Sequence, residues 1–145
     1  MYGGWAFCSY SGSWTVNTST GMQAFPIRRA AGTYDMQEFW NPDIRGIAPS
    51  VAGWYRVSWN FTVEQADAAT NHQFSVQILP QYTTNAFGAT TTYYGNGTNY
   101  LHSGVHTVRV EDLAEEGVIH PAVDGFSEPF KVRAAQMLVE YVSGL

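Results

Sequence analysis

The sequence has little charge and almost no cysteine. Only 13% of its 145 residues are charged, against about 25% in an average soluble domain, and Cys8 is the only cysteine. A fold held together by intrachain disulfides is therefore excluded. The aromatic and small residues around Cys8 predict a small buried hydrophobic side chain there rather than a reactive thiol. The polar surface must consist mainly of uncharged side chains, which is typical of surfaces that other proteins cover.

Basic clusters and long apolar runs are missing as well. The net charge is −5, and no basic run is longer than Arg28-Arg29, so the attraction that dominates nucleic-acid binding is absent and we expect no nucleic-acid partner. No apolar stretch is long enough to cross a bilayer, so we expect no membrane partner. The start, Met1-Tyr2-Gly3-Gly4, lacks the features of a signal peptide, which predicts a protein made in a cytoplasm.

The residue groups that carry enzyme chemistry are not recognisable. There is no Gly-x-Ser-x-Gly elbow, no glycine-rich phosphate loop that opens a helix, and no identifiable histidine partner for Cys8. His102 and His106 would share one face of a strand but stand two pleats apart, too far to ligate one ion. We therefore predict a protein that is not an enzyme, with no catalytic residues, no metal and no cofactor.

The sequence does contain clear β-strand periodicity. In residues 54–63, large apolar side chains alternate with polar ones, which predicts a strand with one face in the core and one in solvent. The inward residues of this strand are Tyr55, Val57, Trp59, Phe61 and Val63.

Further strands are predicted at residues 73–79, 82–94 and 104–113. The second of these ends at Gly95-Asn96-Gly97, which predicts a tight hairpin turn to the next strand. The chain has the length of one domain. We predict an all-β fold, an antiparallel two-sheet jelly-roll sandwich over residues 21–145. Residues 1–20, rich in Gly, Ser and Thr, are predicted to be an N-terminal arm.

The last predicted strand, residues 130–142, is apolar on both faces. One face carries Ala135, Met137, Val139 and Tyr141, and the other carries Val132, Ala134, Leu138 and Val142. One face of a sandwich strand meets the opposite sheet, so the other must be covered by another subunit or by residues 5–16 of the same chain. We predict an oligomer interface that includes Met137, Val139, Tyr141 and Leu138.

The predicted arm carries four aromatic residues that could dock on a partner surface. These are Trp5, Phe7, Tyr10 and Trp14. If the arm is a docking segment, deletion of residues 1–20 should leave a folded oligomer that no longer docks.

A family resemblance supports the jelly-roll prediction. The segment Gly32-Thr33-Tyr34-Asp35, then Phe39, then residues 46–59 resemble the trimeric jelly rolls of complement-q globular heads and tumour necrosis factor. Gly53 and Tyr55 match the Gly-x-Tyr-x-Phe strand of that family, with Val57 where Phe is usual. The resemblance covers residues 21–145 and implies a homotrimer around an axis lined by aromatic and aliphatic side chains.

Similar jelly rolls occur in bacteriophage and other virions as decoration, cement, fibre or spike proteins. The resemblance therefore implies a virion structural protein made in the host cytoplasm, most specifically a homotrimeric capsid decoration protein. Its partners would be itself and the major capsid protein or another virion protein. The alternative is a carbohydrate-binding module or a receptor-binding fibre or spike tip that stacks sugars on exposed rings. The candidate rings are Trp40, Tyr93, Tyr94 and Tyr100.

Overall fold

The computed structural model describes residues 3–16, 23–40, 45–65, 72–79, 90–95, 99–113, 117–125 and 130–145. Most of these residues lie in β-strands. Side chains are described for residues 3–16, 25–40, 45–64, 103–113, 117–121 and 131–145. The strands are β1 Trp5–Val16, β2 Gln23–Ala24, β3 Arg28–Gly32, β4 Met36–Trp40, β5 Arg45–Pro49, β6 Gly53–Gln65, β7 His72–Leu79, β8 Thr90–Gly95, β9 Asn99–Val110, β10 His120–Gly125 and β11 Phe130–Ser143.

The strands form two main antiparallel sheets and one small pair. The large sheet has the order β3-β1-β11-β6-β9, the small sheet has the order β2-β10-β7-β8, and β4 pairs with β5. Four of these pairings are nested along the chain: β1 with β11, β2 with β10, β6 with β9, and β7 with β8. The prediction of an all-β antiparallel sandwich is confirmed.

The alternation in β6 explains why this strand anchors the core. Its five inward residues, Tyr55, Val57, Trp59, Phe61 and Val63, are each no more than 5% exposed, which confirms the predicted inward face. Burying each such side chain contributes roughly 1.5–3 kcal/mol. The ring of Phe61 packs against Phe25, with centroids 5.4 Å apart.

The predicted hairpin at Gly95-Asn96-Gly97 is wrong. β8, which ends at Gly95, pairs with β7 in the small sheet, whereas β9 pairs with β6 in the large sheet. The chain therefore passes from one sheet to the other between these strands. The local turn signal could not reveal this, because the pairing partner of β9 is set by the long ladder with β6.

Residues 5–16 belong to the sandwich, which corrects the prediction of an arm over residues 1–20. β1 lies inside the large sheet, hydrogen-bonded to β11 on one side and to β3 on the other. Its inward residues Ala6, Cys8 and Val16 are at most 1% exposed. Ala6 and Cys8 are small, and the larger side chains of β1 that pack against the core, Tyr10 and Trp14, are the aromatic residues that the sequence analysis assigned to docking.

Burial sets the chemistry of Cys8. It raises the pKa of the thiol from 9.0 to about 12, with a further contribution from Glu38. The thiolate fraction at about pH 8 falls about a thousandfold, so we expect thiol reagents to label the native protein far more slowly than the denatured protein. Equal labelling rates in the two states would contradict this burial.

The same shift predicts the pH dependence of stability. The unfolded chain loses the Cys8 proton near pH 9.0 and the folded chain near pH 12. The contribution of Cys8 is therefore full below pH 9.0 and is lost as the pH rises towards 12.

Candidate docking surface

The large sheet has an inner face that carries the core and an outer face that points away from the small sheet. Successive register partners form a row across the outer face, from β3 through β1, β11 and β6 to β9. We call it the outer row. Its members are Ala31, Phe7, Leu138, Ser58 and Val105.

The outer row is apolar except at Ser58. Val105 is 57% exposed, although it is a β-branched apolar residue in the middle of a long strand. Phe7 and Leu138 are half-buried, because cross-strand neighbours on one face stand roughly 5 Å apart and shield each other. Trp5, on the same face of β1, is 41% exposed. The outer face of the large sheet thus presents apolar side chains to solvent, among them those of Trp5 and Val105.

The charge next to the outer row is paired. Arg56 on β6 lies 3.0 Å from Glu140 on β11, in the register next to the outer row. Both side chains are partly exposed, at 53% and 33%, so the pair contributes at most about 1 kcal/mol to folding. On the other side of the row lie the polar residues Gln136 and Asn60, which are register partners. A partner could cover the row without burying an unpaired charge.

The predicted interface residues do not lie together on this surface. Met137 is 1% and Val139 0% exposed, so both pack inside the chain and neither is available to another subunit. Tyr141 is half-buried and meets Tyr55 edge to face, with centroids 5.6 Å apart. Of the four predicted interface residues, Leu138 alone lies on the outer face of the large sheet. Most of the apolar residues of β11 thus belong to its inward face, which packs in the core of the chain.

The predicted docking aromatics also divide between two faces. Trp5 and Phe7 lie on the outer face of β1, whereas Tyr10 and Trp14 pack against the core. The Trp14 ring lies 5.6 Å from the ring of Phe25. The sequence analysis did not identify Val105 and Ala31 as surface candidates, because their place in the outer row depends on strand pairing. The one signal in the sequence is that Val105, an apolar residue, lies on the polar face of its strand.

The candidate sugar-stacking rings are placed only in part. Trp40 is 42% exposed, and two guanidinium groups lie over its ring, that of Arg28 at 4.1 Å and that of Arg45 at 4.5 Å from the ring centroid. Surface on that ring is therefore already occupied by cations. Tyr93 and Tyr94 belong to β8 and Tyr100 to β9, but their side chains lie outside the described part of the chain.

Within the described part of the chain, no three His, Cys, Asp or Glu residues gather in a group that could hold a metal. His106 packs on Trp59, with ring centroids 4.7 Å apart, and burial lowers the pKa of this histidine. His102 is on β9, but its side chain is outside the described set. No described helix has the length and apolar character needed to span a membrane.

Comparison with known proteins gives a structural match only. No family model matches the sequence, and no curated protein matches it. Among solved structures, the chain is similar to the PRD1 vertex protein P5, with a TM-score of 0.54 and 10% sequence identity. The match covers 95% of this chain and 72% of that chain. At this identity, the likeness shows a shared β-rich fold.

Proposed function

We propose that this protein is a virion structural protein, and specifically a homotrimeric capsid decoration protein that binds and stabilises a head shell. The nested strand pairing supports a jelly roll, in which one long antiparallel ribbon is rolled into two sheets. The fold shared with a protein named for its place at a virion vertex supports the virion setting. Its location would then be the virion and its partners other virion proteins.

The outer row is the observation that carries the self-association part of the proposal. A sheet face that serves only solvent is normally polar, whereas this one presents Phe7, Leu138, Val105 and Trp5 with paired charge beside them. Contiguous apolar surface rimmed by polar residues is typical of protein–protein contacts. In the proposed trimer, each copy covers part of the outer face of its neighbour.

A decoration protein would stabilise a shell because many copies, each making weak contacts, act together. A trimer presents three identical contacts, and linking them converts the second and third contacts into intramolecular events. Avidity can then exceed the affinity of one contact by 10²- to 10⁴-fold without any new contact. A small domain with paired surface charges can therefore hold neighbouring shell proteins together.

The outer row is tested by placing a charge at Val105. We expect Val105→Glu to weaken self-association at least a hundredfold, because the carboxylate would be desolvated at the subunit contact. Val105 is 57% exposed in the single chain, so the variant should still fold. Light scattering over a concentration series, with circular dichroism as the folding check, measures both effects.

The matched control is Leu113→Glu. Leu113 is 39% exposed and follows the end of β9, whereas the outer row crosses this strand at Val105, so the same charge should leave the trimer mass unchanged. A wild-type chain that stays monomeric at every concentration would rule out the trimer. A Val105→Glu chain that keeps the trimer mass would rule out the outer row as the contact.

The virion setting needs a separate measurement. Mass spectrometry of purified particles, from a lysate in which this chain is produced, should find the chain in many copies per particle. Its absence from intact particles, with the chain present in the soluble fraction, would contradict the proposal whatever its oligomeric state.

A further inference from the structure

A second surface feature lies at the β4–β5 pair. Trp40, the last residue of β4, is the register partner of Arg45, the first residue of β5. The guanidinium groups of Arg45 and of Arg28, which begins β3, lie 4.5 Å and 4.1 Å from the Trp40 ring centroid. We call these three residues the arginine–tryptophan stack. Two cations share one ring that is 42% exposed.

The two arginines differ in how their charge is balanced. Arg28 donates from Nε and Nη2 to the carboxylate of Glu38, and this hydrogen bond raises the pKa of Arg28. Arg45 is half-buried, and no carboxylate among the described residues pairs with it. Its Nε is shielded from solvent and has no hydrogen-bond acceptor.

The other arginines show that this is unusual for the chain. Four arginines form ion pairs with glutamates, and Arg29 donates to the backbone carbonyls of Met36 and Thr33. Among the arginines, Arg45 is the one for which the described structure gives only an aromatic ring as partner. Because Nε is shielded from solvent, an incoming acceptor would engage the other N–H donors of this guanidinium, those on its two Nη atoms.

The guanidinium of Arg45 is pre-organised to bind a carboxylate, because it is stacked on the Trp40 ring. Stacking on an aromatic face fixes the planar guanidinium, so less side-chain freedom is lost when its donors engage a ligand. The donor fork matches the two oxygens of a carboxylate. Tryptophan and arginine are also the residues that most often dominate the binding energy of protein contacts. The whole chain has a net charge of −5, so the positive charge at Arg45 is a local feature that would direct an acidic partner to this site.

We propose that the arginine–tryptophan stack is a docking anchor that receives an aspartate or glutamate side chain from a partner protein. That the partner is a shell protein rests on the proposed function above, whereas recognition of the carboxylate does not. Trp40 and Arg45 of the stack lie on the β4–β5 pair, and Arg28 begins β3 at one edge of the large sheet, whereas the outer row extends across that sheet to β9. Self-association can therefore use the outer row while the stack serves docking.

The probe is a short capped peptide containing glutamates, with its glutamine counterpart as the uncharged reference. In NMR titrations of the full chain, the glutamate peptide should shift the Trp40 indole and Arg45 Nε–H signals saturably, and the glutamine peptide should not. Arg45→Gln should weaken binding at least tenfold, and Arg45→Lys, which keeps charge but loses the fork, by a smaller factor.

The matched control is Arg133→Gln, which removes a cation that is already paired with Glu64. It should bind the glutamate peptide as the wild type does. Equal binding by Arg45→Gln and wild type, an equal response to the glutamine peptide, or no response at all would overturn the assignment. Saturation by sialyllactose without a response to the glutamate peptide would overturn it in favour of an acidic sugar. Because the titration does not depend on the trimer, its outcome is separable from that of Val105→Glu.

Discussion

Gly46→Ala is expected to destabilise the protein by about 3 kcal/mol, at the upper end of the cost of overpacking a well-packed site. A β-carbon at Gly46 would lie 2.2 Å from the carbonyl oxygen of Ile119 and 2.7 Å from the β-carbon of His120. The next residue, Ile47, exchanges two backbone hydrogen bonds with Ile119, at 3.0 and 2.8 Å. Neither backbone can yield without breaking that bridge.

Denaturant unfolding followed by tryptophan fluorescence measures this loss. Gly3→Ala is the matched control, because a β-carbon at Gly3 would meet nothing within 4 Å, and we expect a change below about 0.5 kcal/mol. A Gly46→Ala variant as stable as the control would mean that β5 and β10 do not approach each other as described.

Removal of residues 1–16 is expected to abolish folding. This deletion takes out β1 from between β3 and β11, and with it the buried side chains of Ala6, Cys8 and Val16. The edge of β11 would lose its ladder, and β3 would lose its only partner in the large sheet. Circular dichroism should show no cooperative thermal transition in the truncated chain.

A shorter deletion separates this role from that of a detachable arm. Removing residues 1–3 keeps Gly4, whose carbonyl oxygen accepts a hydrogen bond of 2.9 Å from the amide of Tyr141, so near-normal stability is expected. A folded, cooperative protein lacking residues 1–16 would restore the arm hypothesis.

The strands that could be predicted correctly from the sequence are those whose inward residues are large and alternate regularly. β6 has five large inward residues in strict alternation and was predicted correctly. In β11, a shift in register between Val132 and Ala134 breaks the alternation. Val132 is consequently buried with Met137 and Val139, although simple alternation assigned it to the opposite face. One irregular residue exchanges the two faces of a strand for every position beyond it.

The candidate surfaces were less predictable because they are made across strands. Phe7, Leu138 and Val105 lie far apart in the chain and meet only through the pairings of β1, β11, β6 and β9. Trp40 was predicted as an exposed ring, but its two guanidinium neighbours depend on where β3 and β5 lie beside β4. Local patterns carry no information about such contacts.

The nested pairing also constrains how the chain can fold during synthesis. β11 is made after β1, β6 and β9, yet it occupies the centre of the large sheet, where Trp5 pairs with Glu140 and Glu140 with Arg56. The contact order is therefore high, and folding of such topologies is slow, in the range of milliseconds to seconds. Until β11 leaves the ribosome, β1 and β6 have no common neighbour and expose apolar edges to other chains. The nascent chain should thus depend on chaperones until β11 emerges.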